Sequence, residues 1–457
     1  MVNASNLAWR EQAVYSRGMN ANNFLTSWIS SRTLAALCCA SVFSFAADLS
    51  ARTDEVLLAG VATVDITPKK PVTLSGYSMR KDLSQGVHDP LTARAVAFGY
   101  AGTRLVLVSA DLVGFYGGTA EAVRQAILAK CQLPASQLFL CAIHTHSAPS
   151  LGLEGSDAHP NNIEYTEWLK QRLVDVVSEA MLHMTPVRIG AGSGSSPVGV
   201  NRREVFLDKT GKPQIKLGRN PNVLTDREVQ VLKIVRADKD ELAAILFGYA
   251  THSTSLGPKN YLISGDVHGL AEQFVEKNLG GGVVAPAFAG ASGNIDPWCR
   301  VLPEFKTTNG WIPEPVLLGT LLGEEVVNVA SGIQKFDASG PIRTAMKTLD
   351  LPRRPIDATL AKPVEKLSPF NLTVARVGGV AFVGLGGEVF NELGKAIKTA
   401  SPFPCTIIMT HCNGAGGYVP TKPSYDEGGY EVKTSPYLPG AGEQLVQDAV
   451  RALQELK

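Results

Sequence analysis

The sequence is short of most features that mark a chain for a special environment. Cysteine is sparse, 7 in 457 residues. Five of these, Cys131, Cys141, Cys299, Cys405 and Cys412, follow residue 47 and are too scattered for a disulfide scaffold. No C-x-x-C occurs among them; one disulfide can form, and the spacing does not choose its partners. After residue 47 there is no run of about 20 apolar residues, so no spanning helix is expected there. Charge of one sign is absent: 43 Lys and Arg face 42 Asp and Glu, with no basic stripe. That argues against a nucleic-acid binder and gives no reason to expect an anionic membrane as partner. The 44 Gly and 27 Pro follow no G-x-y period, which excludes collagen. No repeat of about 20–50 residues is visible, and no G-x-S-x-G elbow supplies a nucleophilic serine.

What is present is a large globular chain. Hydrophobic residues make up 45% and charged residues 19%, enough for a sizeable core and too apolar for disorder. At roughly 150 residues per domain, the length suits about three domains or one large α/β domain with insertions. Near the N-terminus, Arg32 precedes an apolar run, Leu34–Ala46, that ends in the small residues Ala46 and Ala47. This reads as a secretory signal peptide; a buried core helix is the plainer alternative. The expected division is a leader over 1–47 and a mature, exported domain over 48–457, secreted or periplasmic.

Short apolar runs at 104–109, 137–143, 242–249, 380–385 and 405–409 read as buried strands. Between them lie amphipathic patterns for helices over 120–130, 164–184, 266–277 and 443–456. The Gly-rich run Gly190–Ser196 reads as a flexible loop. The expected fold is α/β, a layered, mixed β-sheet core flanked by helices, with a metal site at the strand C-terminal ends.

The chemistry collects just after these strands. The run ending at Ile143 meets His144-Thr145-His146, and that ending at Ala250 meets Thr251-His252-Ser253. The run ending at Leu385 meets Gly386-Gly387-Glu388, and that ending at Met409 leads through His411 to Tyr418. Ligands of open α/β sheets bind beyond the carboxyl ends of strands. Two histidines and a carboxylate with an open position form the ligand set of a catalytic zinc site. Taken singly, a histidine after a strand is more often a hydrogen-bonded turn residue. His88, His159, His183, His268 and His411 are read as structural. Asp111 and Asp266 are read either as caps or as partners orienting the metal-bound imidazoles.

Several segments, in order, resemble the neutral/alkaline ceramidases, zinc amidohydrolases that cleave N-acylsphingosines. They are Ala142–Pro149 with its H-T-H-S, Val200-Asn201-Arg202, Tyr249–Gly257, Ser264-Gly265-Asp266, Gly293–Pro297, Gly387-Glu388 and Gly417-Tyr418. The resemblance implies that His144, His252, Glu388 and Tyr418 ligate Zn2+. It implies that His146 and Arg202 sit beside the metal and contact substrate or oxyanion, and that Tyr430 lines the site. Where the family carries a serine proposed as nucleophile, this chain has Asp296. That aspartate is read either as a proton acceptor or as a turn residue before Pro297. The family also continues into an immunoglobulin-like domain, for which the roughly 40 residues after Tyr418 are too few. The function expected is exported, zinc-dependent hydrolysis of a small-molecule or lipid amide such as ceramide. The alternatives are a related zinc amidase or esterase with another substrate, and a non-catalytic binding protein on the same scaffold.

Overall fold

The computed structural model describes residues 55–299, 314–354 and 369–457; the proposed leader lies outside them. Its frame is an eight-stranded sheet. In chain order the strands are β1 (Leu58–Asp65), β2 (Thr92–Tyr100), β3 (Thr103–Ala110), β4 (Leu138–Ala142), β5 (Thr185–Ser195), β6 (Glu228–Arg236), β7 (Leu242–Tyr249) and β8 (Ala287–Ala289). In space they run β8-β7-β6-β5-β1-β2-β3-β4. A second sheet of four strands has the order β9 (Ile342–Leu349), β10 (Phe370–Val377), β11 (Val380–Leu385) and β12 (Cys405–Met409).

The period-2 alternation of side chains builds the layers. On β2, Ala93, Ala95 and Ala97 face outward to a core shared with helices α1 (Thr119–Cys131) and α2 (Pro160–Leu182). Val96 and Phe98 point the other way, into the core between the two sheets. There they meet Phe139, Leu246, Phe288, Phe382, Ile407 and Met409. Helices α3 (Asp266–Leu279) and α4 (Glu314–Gly332) cover the β6–β7 half of the large sheet. The far face of the small sheet packs on α5 (Asn391–Ala400) and α6 (Ala441–Glu455). The order of layers is therefore helix, sheet, sheet, helix. Each large side chain fully buried in these cores stabilises by about 1.5–3 kcal/mol relative to exposure.

The expected α/β class with a mixed sheet is the one observed. Within these two sheets most neighbouring strands are antiparallel, and three pairings are parallel: β3 with β4, β7 with β8, and β11 with β12. The Gly-rich run is not a loop. Gly190, Gly192 and Gly194 lie in β5 and face α4. A Cβ on Gly190 would meet Ile333 at 2.5 Å and one on Gly194 would meet Val329 at 2.5 Å. Glycine at every second position lets the helix seat directly on the strand. Helix α2 begins earlier than its apolar face suggests, because Pro160 opens it and His159 Nδ1 accepts from the Asn161 N–H. Among the described residues, no helix is long and apolar enough to cross a membrane.

A buried ion cluster fixes α3 against the large sheet. The Arg94 guanidinium on β2 lies 2.6 Å from Glu272 and 2.7 Å from Glu276, with Asp111 at 3.7 Å. Burial pushes the Glu272 and Asp111 carboxyls above their ordinary range.

Candidate metal centre

The three parallel strand pairs deliver the chemistry. The chain leaving β4 turns at His144, whose φ of 61° is left-handed. An isolated parallel bridge between Thr145 and Ser253 sets this segment beside the one leaving β7, with the His146 N–H donating to the Ser253 carbonyl at 3.0 Å. Glu388 and Tyr418, which follow β11 and β12, are opposed residues of a two-residue parallel ladder. Gly293 lets the loop after β8 approach that ladder, since a Cβ there would lie 2.6 Å from the Glu388 carbonyl oxygen.

The donor set is tightly fixed. His144 Nδ1 lies 2.6 Å from the Val113 carbonyl, and His252 Nδ1 lies 2.8 and 2.9 Å from the carbonyls of Ser292 and Ile295. A ring nitrogen facing a carbonyl oxygen must donate, which leaves each Nε2 turned to the centre. Glu388 Oε2 sits 3.5 Å from His144 Nε2 and 3.4 Å from His252 Nε2. That oxygen is buried without a hydrogen-bond partner among the described residues. Burial alone would raise Glu388, but His144, His252 and His411 outweigh it and hold the carboxylate well below its usual range. Burial, reinforced by Arg202, lowers His252 toward its neutral form.

The Glu388 carboxylate and the two Nε2 atoms thus converge on one point, beside the Arg202 guanidinium, in an arrangement that a cation would satisfy. Ligands held about 2 Å from a tetrahedral ion lie roughly 3.3 Å apart, close to the separations here. Among the described residues, His144, His146 and His252 offer ring nitrogens within 4.8 Å of one another. The residues present therefore fit a metal ion.

Around this set stand the other residues singled out from sequence. His146 Nε2 is 3.2 Å from His144 Nε2, and its Nδ1 is buried and unpaired among the described residues. Burial, then His144 and His252, hold His146 well below its normal pKa, in the neutral form. Arg202 is the hub. Its Nη1 is 3.1 Å from His252 Nε2 and 3.2 Å from Asp296, its Nη2 donates to the Tyr418 hydroxyl at 3.1 Å, and its Nε to Glu431 at 2.8 Å. Burial opposes its charge, but Tyr418, Asp296 and Glu431 outweigh that and keep it protonated. Burial and the Glu388 carboxylate raise the Tyr418 phenol well above its normal pKa. The Tyr430 ring stands edge-on to that of Tyr418, with centroids 5.7 Å apart.

Asp296 is not in a turn. It lies in a short strand, Ile295–Pro297, paired antiparallel with Gly199–Asn201, and is also 3.2 Å from Arg219 Nη1. Asp111 and Asp266 do not orient the imidazoles, a role taken by backbone carbonyls. Asp111 accepts from Thr92, and Asp266 from Ser255, Leu256 and Val267.

Sequence reasoning missed His411. It stacks on His144 with ring centroids 3.8 Å apart and planes 13° from parallel. Its Nε2 is buried and unpaired among the described residues, and its φ is 53°. His144, Asp266, His411 and Asn413 are four of the seven described non-glycine residues with positive φ, and such strain gathers at functional sites.

A layered α/β sandwich that gathers two imidazoles and a carboxylate beyond its parallel strand ends places there residues that could hold a metal ion. The chain belongs, more particularly, to the neutral/alkaline ceramidases: the model of the neutral/alkaline non-lysosomal ceramidase N-terminal region matches residues 57–295. The neutral ceramidase of Pseudomonas aeruginosa is 27% identical over 312 residues, 65% of this chain and 45% of that protein. Neutral ceramidase 1 of Arabidopsis thaliana is 26% identical over 233 residues, 48% of this chain and 29% of that protein. The chain thus spans less than half the length of these relatives. A crystal structure of the Pseudomonas aeruginosa enzyme shares the fold, with a TM-score of 0.69 at 20% identity over 88% of this chain and 75% of that one. A ceramidase complexed with C2 superposes with a TM-score of 0.71 at 21% identity, covering 88% of this chain and 76% of that one.

Proposed function

We propose that the protein is an exported zinc amidohydrolase that cleaves the amide of an N-acylated lipid such as ceramide into a fatty acid and an amine. The convergence of the Glu388 carboxylate with His144 Nε2 and His252 Nε2 carries this reading. In it, His144, His252, Glu388 and Tyr418 hold the zinc. When bound, zinc polarises a carbonyl and lowers the pKa of water at the site.

The chain's own residues do the rest. His146 and Arg202 border the centre and donate to the oxyanion that develops on the scissile carbonyl. Asp296 accepts the proton of the attacking water and returns it to the leaving amine. Two guanidinium groups keep it ionised for the first step, at some cost in basicity. Tyr430 lines the approach. A groove of about 500 Å³ adjoins Asn201 and Arg203, the neighbours of Arg202, and its wall mixes Val205, Ile215 and Val223 with the polar Asn220, Glu392 and Asp426. Export is supported by the Arg32 and Leu34–Ala46 pattern. Release of free fatty acid from N-acylsphingosine by zinc-loaded protein tests the activity. A screen of other N-acyl amides and esters tests the alternative that the aspartate at 296 marks a different substrate.

Two variants separate the roles. His146→Ala is expected to keep its zinc and lose about 10²–10³ in kcat, the usual cost of one oxyanion donor. Loss of zinc along with activity makes His146 a ligand instead. Glu388→Gln keeps the shape but removes the anion, so zinc affinity should fall at least about tenfold. Metal affinity unchanged with activity gone would move Glu388 into the proton-transfer role.

A further inference from the structure

Cys141 and Cys412 take no part in the proposed hydrolysis, yet the fold sets them opposite each other. An isolated antiparallel bridge pairs them. The Asn413 N–H donates to the Leu140 carbonyl at 2.9 Å and the Ala142 N–H to the His411 carbonyl at 3.4 Å. Those two bonds flank the cysteines, so they form a non-hydrogen-bonded pair, the kind in which Cα atoms are closest, about 4.5 Å apart, and side chains share a face. Disulfides span Cα separations of about 4.4–6.8 Å. A Cβ on Gly384 would lie 2.5 Å from Cys412 Sγ and 3.0 Å from Phe139 Cδ1. The Cys412 sulfur therefore sits on the face of β4 that Phe139 shares with Cys141.

The register is held on both sides. Asn413 Oδ1 accepts from the Leu140 N–H at 3.0 Å, and its Nδ2 donates to the Leu138 carbonyl at 2.7 Å and to Thr373 Oγ1 at 3.0 Å. Among the described residues, no other two cysteines are opposed in this way.

We propose that Cys141 and Cys412 form a disulfide in oxidising surroundings, stapling the strand that leads to His144 to the segment that carries His411. One thiolate attacks an external disulfide such as oxidised glutathione, forming a mixed disulfide and releasing a thiolate. The second cysteine then displaces the remaining glutathione. Two cysteine hydrogens leave as protons, and the two electrons reduce the external disulfide to two thiols. Both cysteines are at most 1% exposed, which closes the folded protein to exchange reagents. Burial, together with the adjoining Cys412 sulfur, also raises the Cys141 thiol well above its usual pKa. The bond is therefore made while the chain folds and is then protected.

The test is a thiol map of the full chain refolded from denaturant in a glutathione redox buffer. The product is alkylated without reductant, digested and read by mass spectrometry. A peptide joining Cys141 to Cys412 is expected, with Cys131, Cys299 and Cys405 alkylated. Alkylation of both Cys141 and Cys412, or a link to another cysteine, overturns the pairing. Cys412→Ala should lower the Tm of the oxidised protein by about 4 °C or more, and adding Cys141→Ala should lower it little further. An unchanged Tm in Cys412→Ala overturns the staple, and the wild-type map stands even if that variant does not fold.

Discussion

Purified without chelator, the wild-type chain should carry about one zinc ion, and His252→Ala none, with its amide hydrolysis gone. The imidazole is fully buried, and both nitrogens are committed, one to two carbonyls and the other to the centre shared with Glu388 and Arg202. Alanine removes a ligand and leaves the space apolar, so no side chain replaces it. The loss should exceed the roughly 10–100-fold seen when only an outer partner of a metal ligand is removed. Zinc content by mass spectrometry and fatty-acid release measure the two effects, and circular dichroism checks the fold. Stoichiometric zinc in the variant, or full activity in zinc-free wild type, would refute the site.

Asp296→Asn is the second large effect. The amide keeps the size of the carboxylate and can remain in the short strand beside Gly199–Asn201. It cannot take a proton from attacking water. General acid–base transfer contributes about 10²–10⁴-fold, and kcat should fall by about two orders of magnitude or more, with zinc retained. The lower half of that range is expected, because Arg202 and Arg219 stabilise the anion and weaken it as a base. The same contacts define the competing outcome. If Asp296 only anchors Arg202, kcat should stay near normal, since Glu431 still holds the Arg202 Nε. Near-normal turnover at saturating substrate would end the proton-transfer role.

Much of the site could be read from the sequence because its parts are local: an apolar run, then a side chain able to bind or transfer. His144, His252, Glu388 and Tyr418 each follow a run that proved to belong to one of the three parallel pairs, where the strand-end rule holds even in a largely antiparallel sheet. What stayed hidden has no side-chain signature. The acceptors that orient His144 and His252 are the backbone carbonyls of Val113, Ser292 and Ile295, which any residue supplies. His411 looked like any isolated histidine, because its importance comes from a left-handed backbone and a stacked ring that only the tertiary fold creates. Gly190, Gly192 and Gly194 misled for the opposite reason. Their composition suggests freedom, whereas α4 and the residues just after it press closely on that strand, most of all at Gly190 and Gly194.

The pairing of Glu388 with Tyr418, so far from His144 in the chain, also bears on timing. A ribosome adding about 5–20 residues per second needs on the order of ten seconds to a minute to travel from His144 to Tyr418. The strands that present the two imidazoles are made well before the ladder that completes the set. During that interval, in the proposed reading, the nascent chain offers an ion two imidazole nitrogens without the Glu388 carboxylate, a poor competitor for metal. In the proposed reading, metal capture is therefore the closing event of folding. Its probability depends on how much free metal surrounds the finished chain, not on how much surrounds the chain while it is being made.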